Sequence, residues 1–485
     1  MIRFSNFGLY LLLFLMLISA SCAWFKKAPK DEKVYDDKEE LEEISGKKVF
    51  NPETGRYEIV RSVTAPMDTV RWQDLSEQEF PPIRSTGTPV TDNPVAPSSN
   101  ETPLVTNPAT VLKTRYDVSL LLPFLGQNFD TAQAINENSL WAINFYGGAK
   151  IAFDKLQSEG INLNVHVFDS KASDSDVDNL LKNQPAISRS DLVIGPYRRD
   201  NVAQVAEFAK KNKITYVSPY SASSGLSKMN PEYIQVNPSL EAHCQAITKF
   251  VRAKFPAEQV VLVSKDNESE KARFEYFQKA NAAIDGNSKG KKFTELVISS
   301  DLTNLTEDRI KPFILPLKTT VFILPTWSDE TFVGNFLRLL DIAKMENSVM
   351  VMGMPQWMDY QKIDYDYYEK LNVHVSSAGY IDNNSLEVRN FKKNFFERYA
   401  TAPREEALLG YDVMLYFGRM LKKYGTKFQP QMELEKANGL HMKFAMEPLM
   451  APNPAGAEKP GLVEQYENKA VFILRFQNYY FQPAN

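Results

Sequence analysis

Two adjacent arginines, Arg198 and Arg199, are the residues whose type and position point most directly to a binding chemistry. They follow the apolar run Leu192–Ile194 and a Gly-Pro pair, and they open a segment with helical periodicity. The free N–H groups and the dipole at the start of a helix favour an anion. A guanidinium can bind a carboxylate or phosphate through two parallel hydrogen bonds. We therefore predict an anion site here, and the alternative is a solvated pair that faces water or pairs with Asp200.

Further candidate ligand contacts lie where other predicted strands end. Tyr220, Ser221 and Ser223 follow one strand and place three hydroxyl groups at its carboxyl end. Trp327 and Trp357 follow two later strands, where an aromatic ring can cover the apolar part of a ligand. The alternatives are a hydroxyl-rich loop for the first set and packing between lobes for the tryptophans.

The sequence contains no common catalytic or metal-binding motif. The four histidines have no metal-like spacing, and the short signatures of nucleotide-binding loops, serine hydrolases and zinc proteases are absent. We therefore predict no catalytic residue, no metal site and no cofactor, and we favour a binding protein over an enzyme. The formal charge of -4 argues against nucleic acid as a partner, because nucleic-acid binding favours a basic face.

The N-terminus has the pattern of an export signal. Arg3 precedes an apolar run from Phe7 to Ile18, and the small residues 19–21 precede Cys22. This arrangement resembles the lipobox of bacterial lipoproteins, and the resemblance implies that residues 1–22 form the signal with its lipobox and that acylated Cys22 anchors the chain to a membrane. The alternative is an uncleaved transmembrane helix over Phe7–Phe25, which approaches the ~20 residues that span a bilayer.

Residues 23–112 are predicted to be a mostly disordered tether. They are rich in charged residues, Pro, Ser and Thr, so they bury too little apolar surface to offset the entropy of ordering. One exception is Lys48–Val60, where two short apolar runs flank a Pro/Gly turn and predict a hairpin. The second cysteine, Cys244, lies in a segment with a helical pattern and is predicted to be a small buried residue without a disulfide partner.

From Tyr116 onward, short apolar strands alternate with long helical segments. One series of strand–helix units runs from Val118–Pro123 to Thr215–Ser218, and a second begins with a helix at Leu240 and continues to a strand at Val349–Met352. Such units form parallel sheets with helices on both faces. Two series in tandem predict two doubly wound α/β lobes with a cleft between them, and such sheets bind ligands at the carboxyl ends of their strands.

Four stretches resemble the type I periplasmic-binding-protein fold, and within it the leucine/isoleucine/valine-binding proteins. The first, Leu121–Ala152, resembles the opening strand with the helix after it, and the second, Leu192–Pro219, resembles a Gly-Pro strand end followed by another strand. The third, Tyr233–Ser239, resembles a first crossing between lobes. The fourth combines a Gly-Tyr-Asp helix start at Gly410–Asp412 with a late strand at Asn468–Leu474. The resemblance implies a two-lobed domain over 113–485. One lobe would comprise about 115–237 and 380–440, and the other about 238–379 and 468–482.

Departures from that family bear on specificity. The stretch from Tyr197 to Arg199 replaces the family's carboxylate-binding hydroxyl, Ala222 replaces its threonine, and Lys265–Glu268 replaces a Tyr-Gly strand end. The resemblance therefore implies an exported solute-binding protein, at the periplasmic face of the cell envelope, for a small anionic or amino-acid-like ligand, with a permease as partner. The alternative is an envelope scaffold or regulatory lipoprotein that binds a cell-envelope protein through the same fold with a degraded pocket.

Overall fold

The computed structural model describes residues 46–51, 56–61, 109–126, 135–286, 290–299, 305–451 and 461–484. The chain divides into two compact units, Met1–Val95 and Ala96–Asn485. In the first unit, strands β1 (Gly46–Asn51) and β2 (Arg56–Arg61) pair antiparallel, so the predicted hairpin is confirmed. The predicted signal, Cys22, the transmembrane alternative and most of the tether lie outside the described residues.

The second unit holds the α/β part of the chain. Its α-helices among the described residues are α1 (Leu140–Ser158), α2 (Asp174–Asn183), α3 (Pro185–Ser188), α4 (Arg199–Asn212), α5 (Leu240–Arg252), α6 (Glu268–Lys271), α7 (Arg273–Ile284), α8 (Glu330–Lys344), α9 (Tyr365–Lys370), α10 (Leu386–Tyr399) and α11 (Glu405–Tyr424). Its strands are β3 (Tyr116–Leu122), β4 (Leu163–Asp169), β5 (Leu192–Ile194), β6 (Thr215–Ser218), β7 (Tyr233–Gln235), β8 (Val260–Lys265), β9 (Thr294–Ile298), β10 (Thr320–Ile323), β11 (Val349–Gly353), β12 (Val373–Ser377), β13 (Ala437–Asn438), β14 (Lys443–Phe444), β15 (Met446–Met450), β16 (Val463–Asn468), β17 (Phe472–Gln477) and β18 (Tyr480–Pro483).

Two seven-stranded sheets with matching topology define two lobes. The first sheet has the order β15-β16-β7-β6-β5-β3-β4, and the second has the order β18-β17-β12-β11-β10-β8-β9. Six neighbouring strands (β16 to β4) are parallel in the first sheet and five (β12 to β9) in the second, and antiparallel strands complete one edge of each. The prediction of two doubly wound lobes is therefore confirmed, with an antiparallel edge on each sheet.

The central strands are apolar throughout because helices cover both faces of each sheet. All residues of β5, β10 and β11 are buried, and the cores of the two lobes are built around them. Helix α5 begins where the Ser239 hydroxyl accepts the N–H of Ala242, which caps the helix. Cys244 lies on the buried face of α5 and is fully buried, as predicted, and burial raises the pKa of its thiol.

Helices α1 and α11 approach so closely that two glycines are required where they meet. A Cβ added to Gly148 would lie 1.7 Å from the carbonyl oxygen of Ala407. A Cβ added to Gly410 would lie 2.0 Å from the carbonyl oxygen of Phe145. This contact fixes both helix N-termini near the carboxyl edge of the first sheet, where the Asn144 side chain also accepts the N–H of Arg404 at 3.1 Å.

The C-terminal third differs from the sequence prediction. Gly410 does not open a helix, since α11 begins at Glu405. The predicted late strand at 468–474 is two strands, because β16 ends at Asn468 in the first sheet and β17 begins at Phe472 in the second. The pair β15–β16, over residues 446–468, belongs to the first sheet and falls outside the lobe ranges predicted from the sequence. None of the described helices is both long and apolar enough to cross a membrane.

Candidate functional site

The candidate site is the cleft outside the carboxyl edges of the two sheets, where open α/β sheets bind ligands. The chain leaves the first lobe at the carboxyl end of β7 and leaves the second at the carboxyl end of β12, so both edges border the connecting segments. Loops after β3, β5 and β6 form the wall on the first lobe. Gly195 starts the loop after β5 with φ +84°, and a Cβ there would lie 2.2 Å from the Leu121 carbonyl oxygen. Glycine at this position lets the loops pack closely.

Three rings form what we call the aromatic wall, namely Trp141, Tyr197 and Tyr220. Trp141 and Tyr197 stack with ring centroids 5.3 Å apart, and Tyr220 meets both edge-on at 5.6 and 5.9 Å. Tyr220 is 47% exposed, which is unusual for a ring at the edge of a packed lobe. Burial of its hydroxyl, together with the carboxylate of Glu406, raises the pKa of Tyr220, so the phenol stays neutral. The wall therefore offers an uncharged aromatic surface to the cleft.

The serines predicted beside Tyr220 are engaged within their own loop. Ser221 is 6% exposed, and its hydroxyl accepts the N–H of Ser223 at 3.4 Å. The Tyr220 carbonyl accepts a hydrogen bond from the Asn237 side chain at 2.7 Å, which ties the loop to the first connection between the lobes. Ser223 is half-buried. These contacts shape the loop that presents Tyr220.

The arginine pair lies at the same edge of the sheet. Arg198 precedes α4 and Arg199 is its first residue, as the sequence predicted, and both side chains are exposed. One guanidinium nitrogen of Arg198 donates to the carbonyl oxygen of Ala172, in the loop after β4. Because the rest of this side chain is exposed, an anion could reach its remaining donors.

The two tryptophans predicted on the second lobe have different environments. Trp327 follows β10, the counterpart of β5, and is half-buried, with its ring edge-on to His243 at 5.8 Å. Trp357, also predicted as a ligand contact, is fully buried in this structure. Its indole N–H donates to the Thr326 carbonyl at 3.0 Å, and its ring stacks on Tyr360. Its side chain fills the core behind the cleft.

Charged side chains behind Trp327 pair with one another. The Lys265 ammonium lies 2.5 Å from Asp329 and 3.9 Å from Glu270. Glu270 also accepts the hydroxyl of Thr326 at 3.1 Å. This network supports the loop after β10. Among the described residues, no group of His, Cys, Asp and Glu side chains is arranged to hold a metal ion.

Three connections join the lobes, over residues 236–239, 378–385 and 469–471. Glu467 links the first and third connections, because its carboxylate accepts the N–H of Ser239 at 2.8 Å and the Lys469 ammonium at 2.7 Å. It is 2% exposed, and a buried carboxylate is stable only with such partners. Asn468 accepts the N–H groups of Ala445 and Ala470 at 2.9 and 3.2 Å. Polar contacts therefore fix the chain where it passes between lobes.

Comparison with solved structures identifies this architecture. A putative branched-chain amino acid ABC transporter protein from Rhodospirillum rubrum matches with a TM-score of 0.53 and 14% identity, over 76% of this chain and 99% of that chain. A branched-chain amino acid ABC transporter periplasmic ligand-binding protein from Burkholderia xenovorans LB400 matches with a TM-score of 0.52 and 10% identity, over 76% and 94%. The chain has the type I periplasmic-binding-protein fold. Haemophilus influenzae LpoA matches with a TM-score of 0.49 and 12% identity, over 78% and 60%.

The comparison with sequence-family models matches a shorter part of the chain. The model of the receptor family ligand binding region matches residues 146–294, from the middle of α1 to the start of β9. No curated protein sequence matches. In the type I periplasmic-binding-protein fold, this segment carries most of the first lobe's wall, the first connection and the start of the second lobe.

Two members of the aromatic wall were not predicted as site residues. Trp141 is the second residue of α1, and Tyr197 was considered only as a departure from the family pattern. A helix that follows a parallel strand begins at that strand's carboxyl edge, so the N-terminus of α1 was bound to lie near the cleft. The position of Trp141 at this N-terminus was therefore a sequence feature that could have predicted it as a site residue.

Proposed function

We propose that this chain is an exported solute-binding protein that captures a small ligand between its two lobes. The observation that carries the proposal is the aromatic wall at the carboxyl edge of the first sheet, with Trp327 at the corresponding edge of the second. Tyr220 is the exposed ring of this wall, and Trp141 and Tyr197 are half-buried. A ligand held between these rings would bury apolar surface on both lobes. Rotation about the three connections would close the lobes around it.

The ligand we propose is small and amino-acid-like or anionic, with an apolar part. The aromatic wall would bind that apolar part, and the exposed Arg198 and Arg199 would bind a carboxylate at the mouth of the cleft. The solved structures that share the fold are described as amino acid transport proteins. Together with the N-terminal signal, this likeness supports delivery to a membrane permease as the role.

The proposal predicts that the Tyr220→Ala variant binds the ligand roughly tenfold or more weakly, because about 1–2 kcal/mol of ring contact is lost. Tyr220→Phe should bind as the wild type does. The matched control is Tyr479→Ala, which removes an exposed tyrosine (62%) after β17, at the edge of the second sheet opposite the cleft. Native mass spectrometry would identify a molecule that co-purifies, and calorimetry would measure its affinity for each variant.

The Arg198→Ala, Arg199→Ala double variant tests the arginine contact separately from the aromatic wall, by the same measurements. Weaker binding of an anionic ligand would support the arginine contact, and unchanged affinity would show that the pair is only solvated. Failure of the wild type to bind any member of a broad panel of amino acids and organic acids would overturn solute capture. It would favour the envelope-scaffold alternative.

Membrane attachment is the second part of the proposal. The apolar run and the small residues before Cys22 support acylation of this cysteine. We expect Cys22→Ser to release the protein into the soluble fraction or to leave an uncleaved precursor. Fractionation followed by mass spectrometry of the N-terminus measures both. Wild-type fractionation with an intact N-terminus would contradict lipid anchoring and favour the transmembrane alternative.

A further inference from the structure

A cavity of about 860 Å³ lies in the first lobe and shares no residue with the aromatic wall. Helices α1, α10 and α11 and the β13–β14 hairpin surround it, and residues at two of the connections between the lobes complete its wall. Tyr380 lies in the second connection and Phe472 opens β17 in the second sheet. Pockets of roughly 300–1,000 Å³ accommodate drug-sized molecules, so this cavity is large enough for a ligand.

The interior of the cavity is apolar and partly aromatic. Phe391 of α10 and Tyr411 of α11 contact each other with ring centroids 5.1 Å apart, and Leu415 and Leu440 lie beside them. Phe391 is 5% exposed, so this wall is held by packing and does not rely on a ligand for its shape. A preformed apolar wall binds an apolar body without the cost of reorganisation.

The carboxylate of Asp412 on the floor of the cavity is already satisfied by hydrogen bonds from backbone N–H groups. Asp412 accepts the N–H groups of Leu440, His441 and Met442 at 2.7, 2.8 and 3.1 Å. The residue is 3% exposed. These hydrogen bonds hold the segment before β14 against α11, and the buried oxygens are occupied by the backbone and so are poorly available to a ligand.

The rim of the cavity carries both signs of charge. Lys155 is held 3.4 Å from Glu159, and the ammonium of Lys443 lies 4.5 Å from the ring centre of Phe472. Asp382 and Glu387 are exposed at the same rim. Since neither sign dominates, the rim selects neither an anion nor a cation.

We propose that this cavity is a second ligand site, for an uncharged small molecule with an aromatic or alicyclic body. The proposal rests on the volume, the apolar wall and the balanced rim. It does not depend on what the cleft binds. A molecule bound here would contact the helices of the first lobe and, through Phe472, the first residue of a strand in the second sheet.

The test uses the full chain and three probes of the same shape, namely biphenyl-4-methanol, biphenyl-4-carboxylate and biphenyl-4-methylamine. We expect the neutral alcohol to bind with a dissociation constant of roughly 0.1–1 mM, as its 14 non-hydrogen atoms allow. Calorimetry and saturation-transfer NMR would measure it. No binding of the alcohol at several millimolar, or binding of either charged probe more than tenfold tighter than the alcohol, would overturn the proposal.

A substitution on α10 locates the bound probe. Asn394 is exposed and lines the cavity, so Asn394→Trp should fill part of it and weaken binding of the alcohol at least tenfold. Asn390→Trp, one turn earlier on the same face, serves as a second variant. The control is Lys393→Trp, which adds the same ring at an exposed position of the same helix outside the cavity.

Tyr220→Ala removes part of the aromatic wall and should leave binding of the alcohol unchanged. If Tyr220→Ala abolishes binding while both asparagine variants retain it, the probe occupies the cleft and the second site is disproved. Circular dichroism of each variant verifies that the fold is intact.

Discussion

Gly148→Ala is expected to destabilise the first lobe by about 3 kcal/mol or more, at the upper end of what overpacking costs. The added methyl group would lie 1.7 Å from a backbone carbonyl oxygen of α11, and backbone of a packed helix cannot move aside as a flexible side chain can. Gly410→Ala presses α11 against the Phe145 carbonyl in the same way. Either change must separate the two helices.

The control is Gly334→Ala, in the middle of α8. The Cβ there would meet the nearest Ile363 atom at 3.4 Å, an ordinary contact distance. Replacing a helical glycine by alanine without a clash should be neutral or stabilise by up to about 1 kcal/mol. Thermal and urea unfolding of the three variants measure the difference. A melting temperature of Gly148→Ala equal to that of the wild type would show that the helices are not in contact as described.

The helix contact also affects the site, since α1 carries Trp141 at its start. A variant that folds with separated helices should present a displaced aromatic wall, and its ligand affinity should fall as well. Gly334→Ala should leave affinity unchanged.

Most of the α/β part could be predicted because local and long-range requirements agree there. A strand covered on both faces must be apolar along its whole length, and β5, which reads Leu-Val-Ile, has the bounds that the sequence pattern predicted. Helix α8 also begins and ends where its periodicity predicted, at Glu330 and Lys344. In these segments a short window contains the information that fixes the element.

The C-terminal strands could not be predicted in this way. The strand β16 reads Val-Glu-Gln-Tyr-Glu-Asn, and its last four residues are buried although three of them are polar. Partners far away in sequence make this burial possible, such as the Ser239 N–H that binds Glu467, 228 positions away. No local window contains those partners, so the strand was missed and its end was joined to β17.

For the candidate site too, one property of the residues could be predicted from the sequence and another could not. Position at a strand end could be predicted, so Arg198, Tyr220 and Trp327 lie at the cleft edges. The depth of a side chain could not, because it depends on how neighbouring loops pack. Trp357 follows a strand as Trp327 does, yet its indole is buried against Thr326 and Tyr360.

Acidification from pH 7 to pH 5 is expected to destabilise the second lobe, by about 2 kcal/mol for each of two buried histidines. His243 and His374 are 2% and 3% exposed, and burial lowers the pKa of each from 6.5 to about 4. In the unfolded chain both would titrate near 6.5. Between these values the native state binds fewer protons than the unfolded state, so the free energy of unfolding falls as the pH falls.

The first lobe should respond in the opposite direction. Burial raises the pKa of Asp412 to about 6, so this carboxyl binds a proton in the native state before it would in the unfolded chain. Its contribution to stability therefore rises by about 1 kcal/mol between pH 7 and pH 5. Acidification from pH 7 to pH 5 should therefore lower the stability of the second lobe relative to that of the first.

His374→Gln tests whether His374 contributes to this pH dependence, because glutamine does not titrate. Its amide can still donate to the Asn372 carbonyl, which lies 2.8 Å from Nδ1 of the imidazole. The unfolding free energy of this variant should lose about 2 kcal/mol less than that of the wild type between pH 7 and pH 5. The control is His166→Gln on β4, whose imidazole is 35% exposed. Calorimetric scans at the two pH values measure both variants. Equal pH dependence of His374→Gln and the wild type would show that His374 is solvated in the native state, since only a buried imidazole resists protonation at pH 5.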